Sequence, residues 1–364
     1  MEPVDYRIAP SETQIIKAFA IVAMLVHHLF WEHPEFGFAV NRIAIACKIC
    51  VALFVFLSGY GMATTFPKNN VGLLNTARTF LFFLAKRYAK FFLNYWVVFF
   101  IAVPIGVFCF GRTLEAAYGE NADLLTCLIK DLLGQQGFDS YNITWWFNEL
   151  ILALWILFPL LYCSMKNVFV AIGVLLFLFV NPGEILYKLE IFANCLSIYT
   201  LLFCLGIFMA LHANLVNKIL GIFPPKIVLL GSVTATAILF YMRGIPHIAF
   251  FSYLRINALL SVAFILAIVS ICRTTKRQFA LLQCVGKHSM NMYLTHTFVL
   301  GYFFGNFVYG LENPISMFVM VFGSSLLISV VLELGKRKCK FYQMQNRIVY
   351  MLTKCTPATR LNKL

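Results

Sequence analysis

The sequence predicts an all-α membrane protein, a polytopic bundle of about ten transmembrane helices with the N-terminus and the C-terminus in the cytoplasm. Hydrophobic residues make up 61% of the chain and charged residues only 12%, whereas a soluble domain carries about 25% charged residues. Apolar segments recur along the whole chain at about the 20 residues that a helix needs to cross a bilayer. They cover residues 15–33, 43–64, 79–109, 144–163, 168–181, 194–212, 226–242, 250–272, 288–308 and 314–334.

Short loops join these segments, so residues 1–364 are predicted to form one integral-membrane domain with a short basic cytoplasmic tail at 335–364. The first segment follows a polar, acid-containing start without a small-residue cleavage signature. We therefore expect a retained helix and not a signal peptide. The fifth segment is short, and the third is long enough to tilt or protrude.

The positions of Lys and Arg predict the orientation, because these residues stay on the cytoplasmic side of short loops. An inside N-terminus places 22 of the 29 basic residues on that side. The loop at about 110–143 then faces outward. Its acids are Glu115, Glu120, Asp123, Asp131 and Asp139. Topology and anionic lipid account for the net charge of +14, which gives no support to nucleic-acid binding.

The eleven cysteines lie mostly inside predicted helices. The one close pair, Cys47 and Cys50, falls in the second segment without a matching pair or a His cluster. We expect no metal site and no disulfide framework, since buried cysteine commonly serves as a small hydrophobic residue.

Ionisable side chains at membrane depth are the informative ones, because a charged group at the bilayer centre costs about 2.5 to 3.5 kcal/mol on insertion scales. Such a residue needs a functional or a structural reason. The candidates are His27, His28, Lys48, Glu149, Arg255 and His296.

The first helix brings Lys17 and His28 to nearly the same face, about 16.5 Å apart along the axis, because eleven residues at 100° each complete almost whole turns. Two interpretations fit. Lys17 is an interface cation and His28 a structural hydrogen-bonding group, or the two residues outline a path inward from the cytoplasm. Histidine is the side chain best suited to take a proton near neutral pH.

The third helix opens with Lys86, Arg87 and Lys90, which cluster because spacings of three and four are helical neighbours. These cations lie at the predicted cytoplasmic interface. They either extend to lipid headgroups or form a phosphate clamp, since clustered Arg and Lys bind phosphates by charge-assisted hydrogen bonds.

Five short patterns occur in a fixed order along the chain. Those of the first three helices are Lys17 with His28, then Ser58, Gly59 and Tyr60 in FVFLSGYG, then Lys86, Arg87 and Lys90. Those of the fourth and ninth helices are Trp146, Glu149 and Pro159 in TWWFNELILALWILFPLLY, and Gly286, Ser289, Tyr293 and His296 in GKHSMNMYLTHTFV. With these patterns the chain resembles membrane acyltransferase family 3, whose members include O-acetyltransferases of bacterial surface polysaccharides.

The resemblance implies an acyltransferase that moves an acyl group, commonly acetyl from acetyl-CoA, to a hydroxyl of a sugar or related acceptor. The implied partners are membrane lipid, the acyl-CoA donor and a carbohydrate or lipid-linked glycan, with no tightly bound cofactor. His28 then acts as general base or carries the acyl group briefly itself. The donor phosphates are held by Lys17, Lys86, Arg87 and Lys90. The family has Arg where this chain has Lys17, Lys86 and Lys90, so bidentate phosphate binding is lost there.

Other motif residues have two interpretations each. Glu149 either orients an imidazole or pairs with Lys48 or Arg255, and His296 is either a packing hydrogen-bond donor or a site residue. Ser58 is expected to allow close helix approach more than to do chemistry. Residues expected to support or contact substrate are Ser58, Tyr60, Trp146, Tyr293 and His296.

The resemblance also implies a multi-pass protein of the bacterial cytoplasmic (inner) membrane. Since the chain extends only about 30 residues beyond its tenth helix, we expect no additional extracytoplasmic catalytic domain. The alternative function is a carrier or flippase of lipid-linked saccharides. The absence of an internal repeat and of a matched pair of broken helices disfavours that alternative.

Overall fold

The computed structural model describes residues 4–67, 73–180, 191–245 and 250–353, and within these ranges it is helical without a strand. The helices of the first half are α1 (Pro10–Phe30), α2 (Phe38–Cys47), α3 (Ile49–Thr65), α4 (Leu73–Phe110), α5 (Leu114–Tyr118), α6 (Leu124–Leu132), α7 (Trp146–Ser164) and α8 (Val168–Val180). Those of the second half are α9 (Ile191–Leu211), α10 (Ala213–Leu220), α11 (Pro225–Arg243), α12 (Phe250–Thr275), α13 (Ala280–Thr297), α14 (Gly305–Tyr309), α15 (Pro314–Lys338) and α16 (Phe341–Thr353). A π-helical segment, Phe298–Phe303, continues α13.

The predicted all-α class is confirmed, and each of the ten predicted segments coincides with one of these helices or with a consecutive pair. Among the described residues, seven helices are long and apolar enough to cross a membrane, and the bent pair of α9 and α10 makes an eighth if it is counted as one span. The two remaining segments are α8, which has 13 residues, and α13, which is more polar. The second predicted segment is interrupted at Lys48, where α2 ends and α3 begins.

Four helices were not predicted because they are short and amphipathic, so no long apolar run marks them. They are α5, α6, α10 and α16. Helix α10 leaves the axis of α9 at 82°, and α16 lies in the predicted cytoplasmic tail, of which residues 354–364 are outside the described range.

The chain divides into two compact units, and four helices, α7, α13, α14 and α15, contribute residues to both. Unit 1 comprises Met1–Thr65, Leu160–Met290 and Asn306–Ser324, and unit 2 comprises Phe66–Pro159, Asn291–Gly305 and Ser325–Leu364. The sequence-based expectation of a single domain stays a prediction.

Unit 1 is built around the crossing of α3 and α9. A Cβ atom on Gly59 would lie 2.2 Å from the carbonyl oxygen of Phe203, and one on Gly206 would lie 2.2 Å from that of Phe56. Both positions therefore require glycine, and the two backbones touch as small residues allow in membrane helices. The close approach expected at Ser58 and Gly59 is thus made by Gly59.

The start of α1 is fixed from three sides within unit 1. The hydroxyl of Tyr60 accepts a hydrogen bond from the Ile8 amide at 3.0 Å, and the buried Glu12 carboxylate pairs with Arg273 at 3.2 Å. A Cβ on Gly286 would lie 1.9 Å from the Gln14 carbonyl oxygen, so α13 packs directly on the backbone of α1. These contacts hold the helix that carries Lys17 and His28.

Unit 2 holds its loop 111–142 through the buried Asp131. The carboxylate accepts hydrogen bonds from the Tyr141 amide at 2.6 Å and the Tyr118 hydroxyl at 2.9 Å. Burial raises the pKa of Asp131, although these hydrogen bonds oppose the rise. Arg112 donates to the Tyr141 carbonyl oxygen at 2.8 Å and stacks on the Tyr302 ring at 3.6 Å. These contacts tie distant parts of the loop to each other and, through Arg112, to the π-helical segment that follows α13.

Candidate active site

The predicted site residues are distributed over both units, and each unit is described separately. Unit 1 contains Lys17, His28, Ser58 and Tyr60, and unit 2 contains Lys86, Arg87, Lys90, Trp146, Glu149, Tyr293 and His296.

In unit 1, His28 lies half-buried near the C-terminal end of α1, beside a second imidazole that is held in place. The His27 ring lies 5.2 Å from the His28 ring, and its Nδ1 is 2.8 Å from the Ala44 carbonyl oxygen on α2. Trp31 stacks on the other side of His27 at 5.5 Å. His27 therefore has a structural role.

Lys17 is half-buried on the same helix. The Tyr60 hydroxyl forms hydrogen bonds with backbone atoms. The Tyr60 hydroxyl accepts from the Ile8 amide and donates to the Ile8 carbonyl oxygen at 3.4 Å. Tyr60 therefore orders the segment that leads into α1.

Two further cations of unit 1, Arg255 and Lys48, contact neighbouring groups within that unit. Arg255 donates to the carbonyl oxygens of Phe179 at 3.1 Å and Val180 at 2.9 Å, which end α8. Arginine at this position satisfies carbonyls that the last helical turn leaves open. Lys48 is exposed and lies 6.0 Å from the Trp31 ring centre.

In unit 2, the three cations at the start of the third predicted helix do not share one environment. Lys86 and Lys90, four residues apart, are exposed on α4. Arg87 is turned inward, with its guanidinium carbon 5.2 Å from the centre of the Trp155 ring on α7. The Nε atom of Arg87 is buried and makes no hydrogen bond with the described residues. The spacing thus brings two of the three charges to one accessible surface.

Glu149 lies in the first turn of α7, half-buried, against the loop that precedes the helix. Gly137 has a φ of 60°, and a Cβ there would lie 2.9 Å from the Glu149 Oε2 atom. The absence of a side chain at Gly137 therefore makes room for the carboxylate. Within the described residues of unit 2, this carboxylate has no ion-pair partner.

Two residues of the α13 motif, Tyr293 and His296, are in the interior of unit 2. The Tyr293 hydroxyl lies 3.0 Å from both the Thr144 carbonyl oxygen and Asn148 Oδ1. His296 is fully buried, with Nδ1 2.8 Å from the Tyr293 carbonyl oxygen. Trp146 is partly exposed and stacks on Phe138 with 5.1 Å between ring centres. Tyr293 and His296 thus share one polar region, whereas Trp146 lies beside the loop.

Sequence reasoning missed the neutral polar residues that complete this region. Asn142 Oδ1 accepts from the Thr144 hydroxyl at 2.7 Å and the Thr297 hydroxyl at 2.8 Å. The amide nitrogens of Asn142 and Asn148 are buried and have no hydrogen-bond partner among the described residues. The π-helical segment begins directly after Thr297, and such segments are frequent at functional sites. The polar run NMYLTHT in an otherwise apolar segment was the available signal.

The Tyr293 phenol has one proton and lies between two acceptors, the Thr144 carbonyl oxygen and Asn148 Oδ1, so it donates to one of them at a time.

A second cluster that sequence reasoning missed lies at the far end of α15. The Lys336 Nζ atom is 3.0 Å from Asn94 Oδ1, Asn291 Oδ1 and Glu333 Oε1, and its side chain is 3% exposed. Tyr342 of α16 donates to the other oxygen of Glu333. Three acceptors match the three protons of an ammonium group. This cluster joins four helices and has a structural role.

The comparison with protein families decides what kind of protein carries these residues. A family model described as an acyltransferase domain, that of acyltransferase family 3, matches residues 13–334. The chain belongs to acyltransferase family 3. Searches among curated proteins and among solved structures found no match.

Membership of acyltransferase family 3 confirms the resemblance drawn from the five patterns and makes the protein an enzyme, a multi-pass membrane acyltransferase. The match spans every predicted site residue, from Lys17 to His296. It favours the enzyme over the carrier or flippase. The role of each site residue stays a prediction.

Proposed function

We propose that the protein transfers an acetyl group from acetyl-CoA to a hydroxyl of a sugar or cell-surface glycan precursor at the cytoplasmic membrane of a bacterium. The observation that carries this proposal is the family match over residues 13–334, which makes the protein an acyltransferase. The match includes α1, and α1 holds a half-buried imidazole at His28 within an apolar helix.

His28 is the general base of the proposed reaction. Its imidazole takes the proton of the acceptor hydroxyl as the oxygen attacks the thioester carbonyl carbon. The new C–O bond forms, the C–S bond of the tetrahedral intermediate breaks, and the departing CoA thiolate takes the proton from the imidazolium. The products are the O-acetyl ester and free CoA, and the enzyme returns to its initial protonation state.

Lys86 and Lys90 bind the phosphates of the donor. Their exposure in the N-terminal half of α4, the half predicted to lie toward the cytoplasm, supports this role, because acyl-CoA is a cytoplasmic anion. Exposed ammonium groups attract phosphates and bind them as point charges, without the bidentate geometry of Arg. Lys17, on the face of α1 that carries His28, contributes a further positive charge near the cytoplasmic end of that helix.

The test is acetyl transfer in purified membranes supplied with radiolabelled acetyl-CoA and the host's own surface glycans. We expect wild type to label glycan and His28→Ala to lose on the order of 10² to 10⁴ in rate, the usual contribution of a general base. Lys86→Ala combined with Lys90→Ala should raise the KM for acetyl-CoA. The control is His33→Ala, since His33 lies outside the helix and pairs with Glu35 at 2.7 Å.

The outcomes separate the levels of the proposal. Wild type that labels lipid or protein but no glycan would contradict the sugar acceptor. Use of a longer acyl-CoA in preference to acetyl-CoA would contradict the donor. Full activity of His28→Ala would contradict the mechanism alone.

A further inference from the structure

Unit 1 contains an apolar groove of about 750 Å³, within the size range of ligand sites. Helix α8 packs on α9, and α11 packs on α12, so α8 and α11 form the two walls and α9 and α12 form the floor. The α8 wall presents Ile172, Leu176 and Phe179 from one helical face. Lining residues such as Leu176 are more than half exposed, so the groove opens on the outer face of these helices.

The lining offers almost nothing to a polar ligand. Among the described lining residues the one hydroxyl, on Ser232, donates to the Leu229 carbonyl oxygen within α11. A molecule in the groove is therefore bound by its hydrocarbon part. Because α11 and α12 are long and apolar enough to cross a membrane, the hydrocarbon at hand is the chain of a lipid.

One end of the groove is positively charged. His212 lies 2.7 Å from the Met165 carbonyl oxygen, which joins the junction of α9 and α10 to the start of α8. The exposed lysines of these elements are Lys166 before α8, Lys218 on α10 and Lys226 in the first turn of α11. Helices α8 and α11 also point their N-termini to this end, and helix N-termini favour anions.

The neighbouring acid does not cancel this charge. Asp5 accepts a hydrogen bond from Asn217 of α10 at 2.7 Å and is already paired with Arg7 at 3.3 Å. At the opposite end of the groove, Arg255 donates its hydrogen bonds to the carbonyl oxygens that end α8. Among the described residues, the three lysines are thus the cations positioned to take an anionic headgroup at the first end of the groove.

We propose that the groove binds one molecule of an anionic glycerophospholipid, with a fatty acyl chain between α8 and α11 and its phosphate at Lys166, Lys218 and Lys226. Apolar burial holds the chain, and the lysines select an anionic headgroup over a zwitterionic one. The site is in unit 1 and does not depend on the proposed acetyl transfer.

The test fills the groove with a side chain. Gly231 lines it, and a Cβ there would meet no atom within 4 Å, so Gly231→Leu and Gly231→Phe occupy the space of the acyl chain without a clash. Gly173 on α8 is equally unobstructed and does not line the groove, which makes Gly173→Phe the matched control. A third variant changes Lys166, Lys218 and Lys226 to Gln.

The full chain is reconstituted in nanodiscs of equal parts phosphatidylglycerol and phosphatidylcholine, extracted in mild detergent and examined by native mass spectrometry. Wild type and Gly173→Phe should retain one phosphatidylglycerol per chain, with a preference of about tenfold or more over phosphatidylcholine. Both Gly231 variants should lose this lipid, and the triple Gln variant should lose the preference.

Three results would overturn the proposal. They are retention of phosphatidylglycerol by both Gly231 variants at the wild-type level, equal retention of the two phospholipids by wild type, and displacement of phosphatidylglycerol by an equimolar polyprenyl phosphate. The last result would assign the groove to a lipid-linked acceptor.

Discussion

At the scale of single residues, Gly137 and Glu149 form a pair that can be tested. Ala at Gly137 must adopt a left-handed backbone at a cost of about 1 to 2 kcal/mol, and its Cβ would displace the Glu149 carboxylate. We expect Gly137→Ala to lower the melting temperature and to reduce acyl transfer by on the order of tenfold to a hundredfold, as small misplacements in active sites do.

Gly111 provides the matched control for this prediction. Its φ is 66°, close to that of Gly137, but a Cβ there would meet nothing within 4 Å. Gly111→Ala should therefore lose similar stability and keep its transfer rate. Equal rates for the two variants would give Glu149 a purely structural role.

Substitutions of the three cations of α4 should also have different effects, on donor binding for the lysines and on stability for Arg87. Because Lys86 and Lys90 are exposed, Lys86→Met and Lys90→Met should each raise the KM for acyl-CoA, by about tenfold if one charged hydrogen bond is lost. Arg87 lies over Trp155, so Arg87→Met should instead cost about 0.5 to 2 kcal/mol of stability. Steady-state kinetics and thermal unfolding measure the two effects. An equal rise in KM for Arg87→Met would return Arg87 to the donor site.

Sequence patterns single out ionisable candidate residues more readily than neutral ones. Glu149 and His296 are recognisable because ionisable groups at membrane depth need a reason. Asn142 and Thr297 carry no such signal, since a neutral polar residue costs little in a hydropathy profile, and their hydrogen bond joins positions far apart in the chain. Arg87 was placed with the exposed lysines because its contact with Trp155 depends on packing between two helices.

At the scale of helices, the apolar segments predicted the spans but not the elements between them. Helices α10 and α16 are amphipathic and short, so a hydropathy profile does not detect them. Lys336 belongs to the predicted basic tail. Its burial could not be predicted there because it depends on partners from α4 and α13. Contacts of this kind are decided by the packing of helices and not by local composition.

The Lys336 cluster predicts how α16 is held. Lys336→Met leaves Glu333 without its ion partner, and removal of one partner of a buried pair costs about 3 to 5 kcal/mol. We expect a lower melting temperature and faster amide hydrogen exchange in α16, which contacts Glu333 through Tyr342. Lys338→Met, at an exposed position of the same helix, should change neither property. Adding Glu333→Gln to Lys336→Met should restore part of the loss, and an unchanged melting temperature for Lys336→Met would remove the structural role.

At the scale of the whole molecule, the distribution of Lys and Arg predicts the topology, and two exposed positions test it. Cys339 follows α15 on the predicted cytoplasmic side, and Asp139 lies in the predicted outer loop. In right-side-out vesicles, a membrane-impermeant maleimide should label a variant whose only cysteine is Asp139→Cys. A variant whose only cysteine is Cys339 should be labelled only after the vesicles have been permeabilised. The reverse pattern would invert the orientation, and with it the side from which Lys86 and Lys90 meet the acyl donor. Labelling of both positions before permeabilisation would place them on the same side of the membrane, so an odd number of the predicted spans between them would not cross it. The first span to re-examine is α8, which has 13 residues.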